Sequence, residues 1–261
     1  MHKPDEVSAD WFHDGHVQVL QPKSGYRAAI DPVILAAALD RPRQGHRLLD
    51  VGCGAGVAGL CAMSLARTLT EGEPGTVSLK GIDIDRGMLD LASHSIGLNG
   101  FDTEGFSMRA EWVDIAKPSS WPDPGCWDQV FSNPPYLQAS AADGKARPDF
   151  ETANRETTVP LAEWIGFMTE MAKPKGRLVL VHRADRLTEI VAAFRQRGVG
   201  GIEIFPLWPK SETPAKRVIV RGRKGVRTGD RLLPGLILHE ADGSYTAEAT
   251  AVLNGQTRLK F

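Results

Sequence analysis

A short segment that reads strand, glycine turn, helix constrains the fold of this chain more than any other part of its sequence. The apolar run at 46–52 has strand character and ends in Asp50-Val-Gly-Cys-Gly-Ala-Gly56, and residues 57–69 have helix-favouring composition. Glycines allow a tight backbone turn and the close approach of a ligand. The free N–H groups that begin the following helix can bind a polar ligand. The segment therefore predicts the first unit of a parallel α/β sheet with a ligand site at the turn.

Strand and helix patterns continue to alternate after that turn. Helical patterns occupy 86–100, 156–176 and 186–198, and strand patterns occupy 76–84, 106–114, 127–135, 176–183, 202–208 and 216–222. This alternation predicts a doubly wound sheet rich in parallel strands, of which the last two pair antiparallel. Residues 1–45 are predicted as an N-terminal extension with a strand at 17–22, a turn at 24–27 and a helix that Asp31 caps and whose first position is Pro32. Residues 46–261 are predicted as one globular unit.

The composition excludes several classes of protein. With 42% hydrophobic and 24% charged residues, the chain has the ordinary composition of a soluble globular protein. It contains no run of about 18 apolar residues, which a membrane span needs, and its N-terminus has no apolar signal-peptide segment. The three cysteines form no CxxC pair, and the histidines are scattered singly. We therefore expect a cytoplasmic protein with no metal, no membrane contact and no obligate protein partner.

The glycine turn by itself is compatible with more than one cofactor. Gly54, Gly56 and Gly59 also match the GxGxxG pattern of dinucleotide sites, which is a weak signal when it stands alone. In this chain an acid, Asp50, precedes the glycines. The next acid at a strand end, Asp83, lies further along than the spacing of about 20 residues found in NAD sites. Both features argue against an NAD-dependent oxidoreductase.

A second motif, Asn133-Pro-Pro-Tyr136, follows the apolar strand pattern DQVFS. The two prolines fix φ and remove two backbone donors, and Asn133 is biased towards extended backbone because it precedes a proline. The segment therefore presents carbonyl oxygens, to which the Asn133 side chain adds another. Two such acceptors can hold both N–H bonds of a planar amine and stabilise the positive charge that develops on its nitrogen during methylation. Tyr136 offers a flat face on which a base can stack.

The two motifs together resemble those of the class I methyltransferases that depend on S-adenosyl-L-methionine (SAM), and the second resembles the fourth motif of the members that methylate amino groups. The resemblance implies a Rossmann-like fold with a seven-stranded, mostly parallel sheet and helices on both faces. It implies that SAM is the cofactor. It also implies that Asn133 and Pro134 hold the target NH2 and that Tyr136 stacks on the target.

The same resemblance assigns cofactor contacts at several positions. It places an acid on the ribose hydroxyls at Asp83, with Asp85 as the alternative, and an acid on the adenine amine at Asp114, which could instead be a solvated loop residue or a helix cap. A carboxylate suits the ribose because it can accept two hydrogen bonds from a vicinal diol. The residues expected to hold the amino-acid part of SAM are Asp50, Gly52, Gly54 and Gly56.

Longer segments resemble one group within this family, the bacterial tRNA adenine-37 N6-methyltransferases. The similar segments are residues 14–39 and 233–253. The likeness implies methylation of adenine N6 in RNA, with tRNA as the favoured acceptor, and it places Tyr26, Arg27 and Asp31 beside the cofactor or the target. Structural roles for these three residues stay open as the alternative.

Other readings of the function remain open. A protein glutamine N5-methyltransferase of the release-factor type also uses NPPY. Such enzymes generally carry a helical N-terminal domain of several dozen residues, whereas the 45 residues before the glycine-turn unit of this chain have the pattern of strand, turn and helix. Methylation of guanine N2 in rRNA, methylation of adenine N6 in DNA and a catalytically silent binding module are the further alternatives.

The formal net charge of the chain is −1, so the chain as a whole does not attract phosphates. Binding of RNA therefore requires a local concentration of positive charge. Residues 207–231 contain eight basic residues against Glu212 and Asp230, which is a local excess of six: Lys210, Lys216, Arg217, Arg221, Arg223, Lys224, Arg227 and Arg231. Such a segment can neutralise phosphates, although a solvated strand edge is the alternative. The residues predicted to contact the RNA are Lys216 and Arg217, with Arg147 and Arg155 in the long polar loop after NPPY.

Overall fold

A mixed β-sheet with helices on both faces forms the centre of the molecule in the computed structural model, which describes residues 6–24, 27–68, 77–103, 105–135 and 159–261. The elements follow the chain in the order β1 (Val7–Phe12), β2 (Val17–Pro22), α1 (Asp31–Ala37), β3 (Arg47–Val51), α2 (Val57–Thr68), β4 (Val77–Asp83), α3 (Arg86–Leu98), β5 (Asp102–Thr103), β6 (Phe106–Trp112), β7 (Trp127–Ser132), α4 (Leu161–Met171), β8 (Ala172–Arg183), α5 (Leu187–Gln196), β9 (Val199–Trp208), β10 (Arg217–Lys224), β11 (Arg231–Leu232), β12 (Leu236–Ile237) and α6 (Ala247–Leu253).

The order of the strands confirms the predicted fold class. Within the described residues the sheet runs β11-β9-β10-β8-β7-β3-β4-β6-β5, and β12 also pairs with β9. The pairs β3–β4, β3–β7, β4–β6 and β7–β8 are parallel, whereas β10 is antiparallel to both β8 and β9. The seven strands from β9 to β6 therefore form the mostly parallel sheet that the sequence predicted. The additional strands β5, β11 and β12 have two residues each.

Two apolar clusters cover the two faces of this sheet. The first contains residues of α1, α2 and α6 together with Phe131 and Val179, and the second contains residues of α4 and α5 together with Val130 and Leu178. Neighbouring residues of β7 and β8 thus point to opposite faces, as the pleat of a strand requires. Burial on both faces explains why these strands read as continuous apolar runs rather than as alternating ones.

The N-terminal segment contains one more strand than the sequence predicted. β1 pairs antiparallel with the predicted strand β2, and Val17 and Val19 of β2 are buried in the first apolar cluster together with α1. The N-cap of α1 is Ile30, and Asp31 is the first residue of the helix. The predicted capping role of Asp31 is therefore wrong. Its carboxylate instead accepts a hydrogen bond from Nε of Arg217 at 3.0 Å.

The boundary between α4 and β8 also differs from the prediction. The helical pattern at 156–176 gives a helix that begins at Leu161 and ends at Met171, and β8 follows without a connecting loop. Pro174 has no N–H to continue the helix, and Lys175 has a φ of +63°. The register against β7 shifts between Trp127 and Gln129 to accommodate this stretch. The helix α6 and the strands β5, β11 and β12 had no counterpart in the sequence-based prediction.

Candidate active site

The glycine turn joins β3 to α2 at the edge of the sheet where the parallel strands end, called the carboxyl edge below. Gly52, Gly54 and Gly56 have φ values of 70°, 53° and 86°. These values lie in the left-handed region that glycine adopts without strain, which explains the residue type at each position. The amides of Gly52 and Cys53 both donate to the carbonyl of Ile82 on β4, at 2.9 and 3.0 Å. The turn is therefore held against the end of the neighbouring strand.

Asp83 ends β4 directly beside this turn. One of its carboxylate oxygens accepts a hydrogen bond from the Gly54 amide at 2.8 Å, and the other accepts one from the Asp85 amide at 2.9 Å. Burial raises the pKa of Asp83, and these backbone hydrogen bonds offset only part of that rise. Asp85, the alternative ribose acid, instead caps α3 by accepting from the amides of Gly87 and Met88. Of the two acids, Asp83 is the one that touches the turn.

Asp50 lies beneath the turn and is only 1% exposed. Its Oδ2 accepts a hydrogen bond from the Gly59 amide at 3.1 Å, so the carboxylate joins β3 to the first turn of α2. Burial raises the pKa of Asp50 to about 8, and the nearby charge of Asp83 adds to the rise. The carboxylate of Asp50 is enclosed by the protein in this structure. Its direct contact with a cofactor stays a prediction.

Asp114 follows β6 and is already engaged within its own loop. Its Oδ1 accepts a hydrogen bond from the Ala116 amide at 3.0 Å, and its Oδ2 lies 3.1 Å from Nζ of Lys117. The residue is buried rather than freely solvated. Contact between Asp114 and the adenine amine of a cofactor stays a prediction. In this structure the carboxylate stabilises its own loop through Ala116 and Lys117.

The NPP segment begins one residue beyond β7, which lies next to β3 in the sheet. Ser132 at the end of β7 is in register with Val51 at the end of β3. Asn133 and Gly52 are therefore the next residues on adjacent parallel strands, which are spaced about 4.8 Å apart. Asn133 is half-buried and Pro134 is buried. The structure thus brings the predicted amine-holding segment next to the predicted cofactor turn.

The remaining predicted site residues fall into two groups. The guanidinium of Arg27 binds the Asp10 carboxylate on β1 at 2.6 Å, and Asp31 and Arg217 pair with each other at the carboxyl edge. Lys216 is exposed next to Arg217 and forms no ion pair within the part of the chain that the structure describes. The predicted residues that lie outside the described residues are Tyr26, Tyr136, Arg147 and Arg155.

The basic segment 207–231 does not form a single surface. Because β10 is antiparallel to β8, Arg217 lies at the carboxyl edge, whereas Arg223 lies at the opposite edge. Arg221 is buried between them and pairs with Glu203 at 2.7 Å and Asp40 at 3.2 Å. The charges of this segment are therefore divided between two edges and partly neutralised by acids elsewhere in the chain, and its binding of phosphates stays a prediction.

A serine and a tryptophan that the sequence analysis missed connect the turn to the NPP segment. The buried Oγ of Ser132 donates to the Val51 carbonyl at 2.6 Å and accepts from Nε1 of Trp164 at 2.9 Å. The Trp164 ring also lies against Gly52, where an added Cβ would be 2.8 Å from Cζ2 of the ring. The sequence signal that could have identified Ser132 is a hydroxyl at the end of an apolar strand, because a buried polar group needs a hydrogen-bond partner. No pattern in the sequence identified Trp164 as that partner.

The residues at the carboxyl edge fit SAM by their chemistry. The glycine turn leads into a helix N-terminus, whose backbone amides suit a carboxylate such as that of an amino acid. Asp83 offers a carboxylate beside the turn, and it forms no ion pair with a lysine or arginine in the described ranges. Uncompensated carboxylates complement a positively charged ligand, and SAM carries its positive charge on sulfur.

Metal-binding groups and membrane spans are both absent from the described ranges. No three His, Cys, Asp or Glu side chains in these ranges come together so that they could hold a metal ion. None of the helices there combines the length and the apolar character that crossing a bilayer requires.

Sequence relatives extend over most of the chain. A family model described as N-6 DNA methylase matches residues 29–192, which is more than half of the chain. A curated protein from Porphyromonas gingivalis, named tRNA1(Val) (adenine(37)-N6)-methyltransferase, is 27% identical over 252 residues, covering 93% of this chain and 92% of the relative. A protein of the same name from Cytophaga hutchinsonii is 21% identical over 247 residues, covering 95% and 97%.

Solved structures share the same architecture. Protein Atu636 from Agrobacterium tumefaciens, described as a predicted O-methyltransferase, has a TM-score of 0.69 at 22% identity and covers 88% of this chain and 98% of its own. TYW2 from P. horikoshii, solved in complex with MeSAdo, has a TM-score of 0.56 at 12% identity and covers 86% and 74%. At these identities the likeness shows the fold alone. With the family match, it follows that the chain belongs to the N-6 DNA methylase family and is a SAM-dependent methyltransferase of the class I fold.

Proposed function

We propose that this protein transfers the methyl group of SAM to the exocyclic N6 amine of an adenine in RNA, and that the RNA is a tRNA. The observation that carries the proposal is the position of Asn133 and Pro134, which directly follow β7 and lie beside the glycine turn that follows β3. This position supports a planar amine being held next to the methyl donor. The curated relatives named as tRNA adenine methyltransferases support tRNA as the acceptor. A tRNA acceptor is consistent with the cytoplasmic location expected from the sequence.

The chain's own residues would form the cofactor site as follows. SAM, when bound, supplies a methyl group on a positively charged sulfur. The backbone amides of the turn at Gly52, Gly54 and Gly56 bind its amino-acid part. Asp83 accepts hydrogen bonds from the ribose hydroxyls, and its pKa, which burial raises, falls again when those hydroxyls donate to the ionised form. The residues that border this site are Asp31, Arg27, Asp50 and Asp114.

The amine would be activated by position and by hydrogen bonding. The side-chain carbonyl of Asn133 and the backbone carbonyl of Pro134 each accept a hydrogen bond from one N–H group of the target amine. Two fixed acceptors stabilise the positive charge that develops on the nitrogen and direct its lone pair at the methyl group. Tyr136 stacks on the adenine, which has to leave its own stack to reach the site. The amine proton then passes to solvent, so no side-chain base is required.

The RNA contacts of the proposal are local. Tyr26 and Tyr136 contact the target base, and Arg147, Arg155, Lys216 and Arg217 contact the flanking phosphates. Lys216 is the contact that the geometry supports best, because it is exposed at the carboxyl edge and has no ion pair in the described ranges. Its neighbour Arg217 pairs with Asp31 and would have to exchange that partner for a phosphate.

The decisive experiment is methyl transfer from tritiated SAM to total RNA of cells that lack this enzyme, with protein extract and genomic DNA as parallel acceptors. We expect label in small RNA that digests to N6-methyladenosine. Asn133→Ala should lower this transfer by about a hundredfold or more, because fixed polar groups that stabilise developing charge contribute effects of that size. Asn133→Asp, which keeps one carbonyl acceptor, should lose less. Affinity for S-adenosylhomocysteine should stay unchanged in both variants.

Each alternative acceptor has its own result in this assay. Label in protein alone would replace the proposal with glutamine methylation, and label in DNA alone would replace RNA with DNA as the acceptor. Label in RNA that digests to N2-methylguanosine would keep RNA as the acceptor and reject adenine.

A further inference from the structure

We propose that Ser132 and Trp164 are positioning residues, which set the distance between the amine-holding Asn133 and the cofactor turn. The inference rests on the proposed function, because it assigns a role to two residues in that same methyl transfer. Neither residue belongs to the motifs that the sequence analysis recognised.

The first argument is where the Ser132 hydroxyl sits. Its Oγ donates to the carbonyl of Val51, and Val51 immediately precedes Gly52 of the cofactor turn. Ser132 itself immediately precedes Asn133. The hydrogen bond of 2.6 Å therefore ties together the last residues before the two halves of the site. Any movement of one strand end relative to the other has to lengthen or break it.

The second argument is that Trp164 holds both halves from a third element. Its Nε1–H donates to Ser132 Oγ at 2.9 Å from helix α4. Its ring edge meets Gly52, where an added Cβ would lie 2.8 and 3.0 Å from Cζ2 and Cη2. Trp164 is 5% exposed and Ser132 is fully buried, so neither hydrogen bond competes with water. One rigid side chain thus contacts the cofactor turn through its ring and the amine-holding segment through its N–H.

The chemistry explains why such a connection matters. Methyl transfer requires the acceptor nitrogen, the methyl carbon and the sulfur to lie in line at close range. A misplacement of about 1 Å can lower a rate by about a hundredfold. The backbone hydrogen bonds between β3 and β7 set the spacing of the two strands. They do not fix the chain beyond the last paired residues, where these hydrogen bonds stop. The hydroxyl and the indole supply the missing constraint at that point.

A purely structural role for Ser132 has a matched control in the same protein. Ser95 is also fully buried, donates its Oγ–H to the Leu91 carbonyl at 2.8 Å and accepts from the Leu20 amide at 2.9 Å. It lies on α3, away from the site. Ser132→Ala and Ser95→Ala therefore delete the same pattern of hydrogen bonds, and only the first deletion touches Asn133 and the turn.

Trp164 has a comparable control. Trp121 donates its Nε1–H to the Ile115 carbonyl at 3.0 Å and packs edge-on against Phe167 of the same helix α4, with ring centroids 5.0 Å apart. Trp121→Phe therefore removes an indole hydrogen bond next to α4 without changing any contact of Gly52 or Ser132. It reports the effect of losing a tryptophan from this part of the core.

The test measures kcat and KM for SAM on the labelled RNA, together with the Kd for S-adenosylhomocysteine in the absence of RNA. Ser132→Ala should lower kcat about tenfold to a hundredfold with KM for SAM within about twofold, because it disturbs the amine side of the site. Trp164→Phe should also raise the Kd for S-adenosylhomocysteine about fivefold, because a smaller ring withdraws from Gly52. Ser95→Ala and Trp121→Phe should leave all three quantities within about twofold of the wild type. The double variant Ser132→Ala/Trp164→Phe should lose less kcat than the product of the two single losses, since both changes remove one shared hydrogen bond.

Two results would overturn the inference. One is a kcat for Ser132→Ala that matches that of Ser95→Ala, and the other is a cofactor affinity for Trp164→Phe that matches that of Trp121→Phe. The second measurement needs no RNA, so it decides the role of Trp164 even if the wild type transfers no methyl group to adenine. A wild type that binds S-adenosylhomocysteine but leaves RNA adenine unlabelled contradicts the proposed function alone.

Discussion

Carboxyl groups at the two edges of the sheet have opposite surroundings. At the carboxyl edge, Asp50 and Asp83 are held by backbone amides, and burial raises the pKa of both. At the opposite edge, Asp40 and Glu203 share a set of arginines that includes Arg177 and Arg221. Burial alone would raise the pKa of these two acids as well, but the arginines outweigh it and lower the pKa. The same residue types therefore have opposite electrostatic environments within one sheet.

The difference separates a structural use of charge from a ligand-binding one. Acids that already have arginine partners have nothing left to offer a ligand, and they fasten β8, β9 and β10 to the end of α1. Asp83, which has no lysine or arginine partner in the described ranges, can instead face a positively charged ligand, and the site proposed for SAM lies beside it. Perturbed carboxylates of this second kind are the ones that indicate a functional site.

The largest effect is expected at the arginine-paired acids, where a substitution should lower the free energy of unfolding without changing catalysis. Glu203→Gln leaves Arg177 and Arg221 buried with only Asp40 between them, and removal of one partner from such a buried cluster costs about 3–5 kcal/mol. Chemical denaturation should show this loss, while kcat per folded molecule stays unchanged. The control is Glu111→Gln, which removes the partly exposed pair with Lys80 and should cost less than about 1 kcal/mol. A loss of activity without a loss of stability would contradict the assignment.

The next effect should appear at the carboxyl edge without a matching loss of stability. Asp83→Asn can still accept one backbone hydrogen bond but loses the charge that holds two ribose hydroxyls. Two charge-assisted hydrogen bonds correspond to about a hundredfold in affinity for S-adenosylhomocysteine, which calorimetry would measure. Asp85→Asn is the matched control, because asparagine is as good an N-cap as aspartate and α3 should be preserved. Equal losses in the two variants would mean that the structure does not distinguish these acids.

The third effect concerns the pH dependence of stability. The pKa of Asp50 is raised from 3.8 to about 8 in the folded protein, so the folded state retains a proton that the unfolded state releases. The stability associated with this group is complete below pH 3.8 and is lost as the pH rises towards about 8. Asp50→Asn cannot ionise, so its stability relative to the wild type should increase across that range and then level off. Parallel pH profiles for the two proteins would show that Asp50 has an ordinary pKa.

The smallest effect compares single cations at the two edges. Lys216→Ala should raise KM for RNA a few-fold at low salt and reduce the slope of log affinity against log salt by about one. Arg227→Ala removes an exposed cation of the same basic segment beyond the other end of β10 and should change neither quantity. Equal effects of both substitutions would place RNA on both edges of the sheet.

The fold could be predicted in detail because its signals are local. Apolar runs, glycine stops and their alternation located all seven strands from β9 to β6 and the helices between them. The two-residue strands escaped, because two residues carry no periodicity, and α6 was read only as part of a resemblance. The end of α4 was misplaced because a helical composition continues up to Gly176, while Pro174 and the backbone of Lys175 end the helix earlier.

The candidate site could be predicted only as far as its motifs extend. Gly52, Asp83 and Asn133 could be predicted as site residues because their chemistry is visible in a few neighbouring letters. Partners distant in sequence were invisible, so neither the pairing of Asp31 with Arg217 nor that of Ser132 with Trp164 was foreseen. The division of the basic segment between two edges was not foreseen for a related reason, since a charge count along the chain does not show that an antiparallel strand carries its two ends to opposite edges of the sheet.

The contact between Gly52 and Trp164 also limits how this sequence can diverge. A side chain at position 52 is opposed twice, by a φ of +70° and by the indole that occupies the space. A smaller side chain at position 164 opens a hollow behind the turn and removes the donor that Ser132 accepts from. Neither position can change first without a defect, so we expect descendants of this chain to replace both residues together or to keep both.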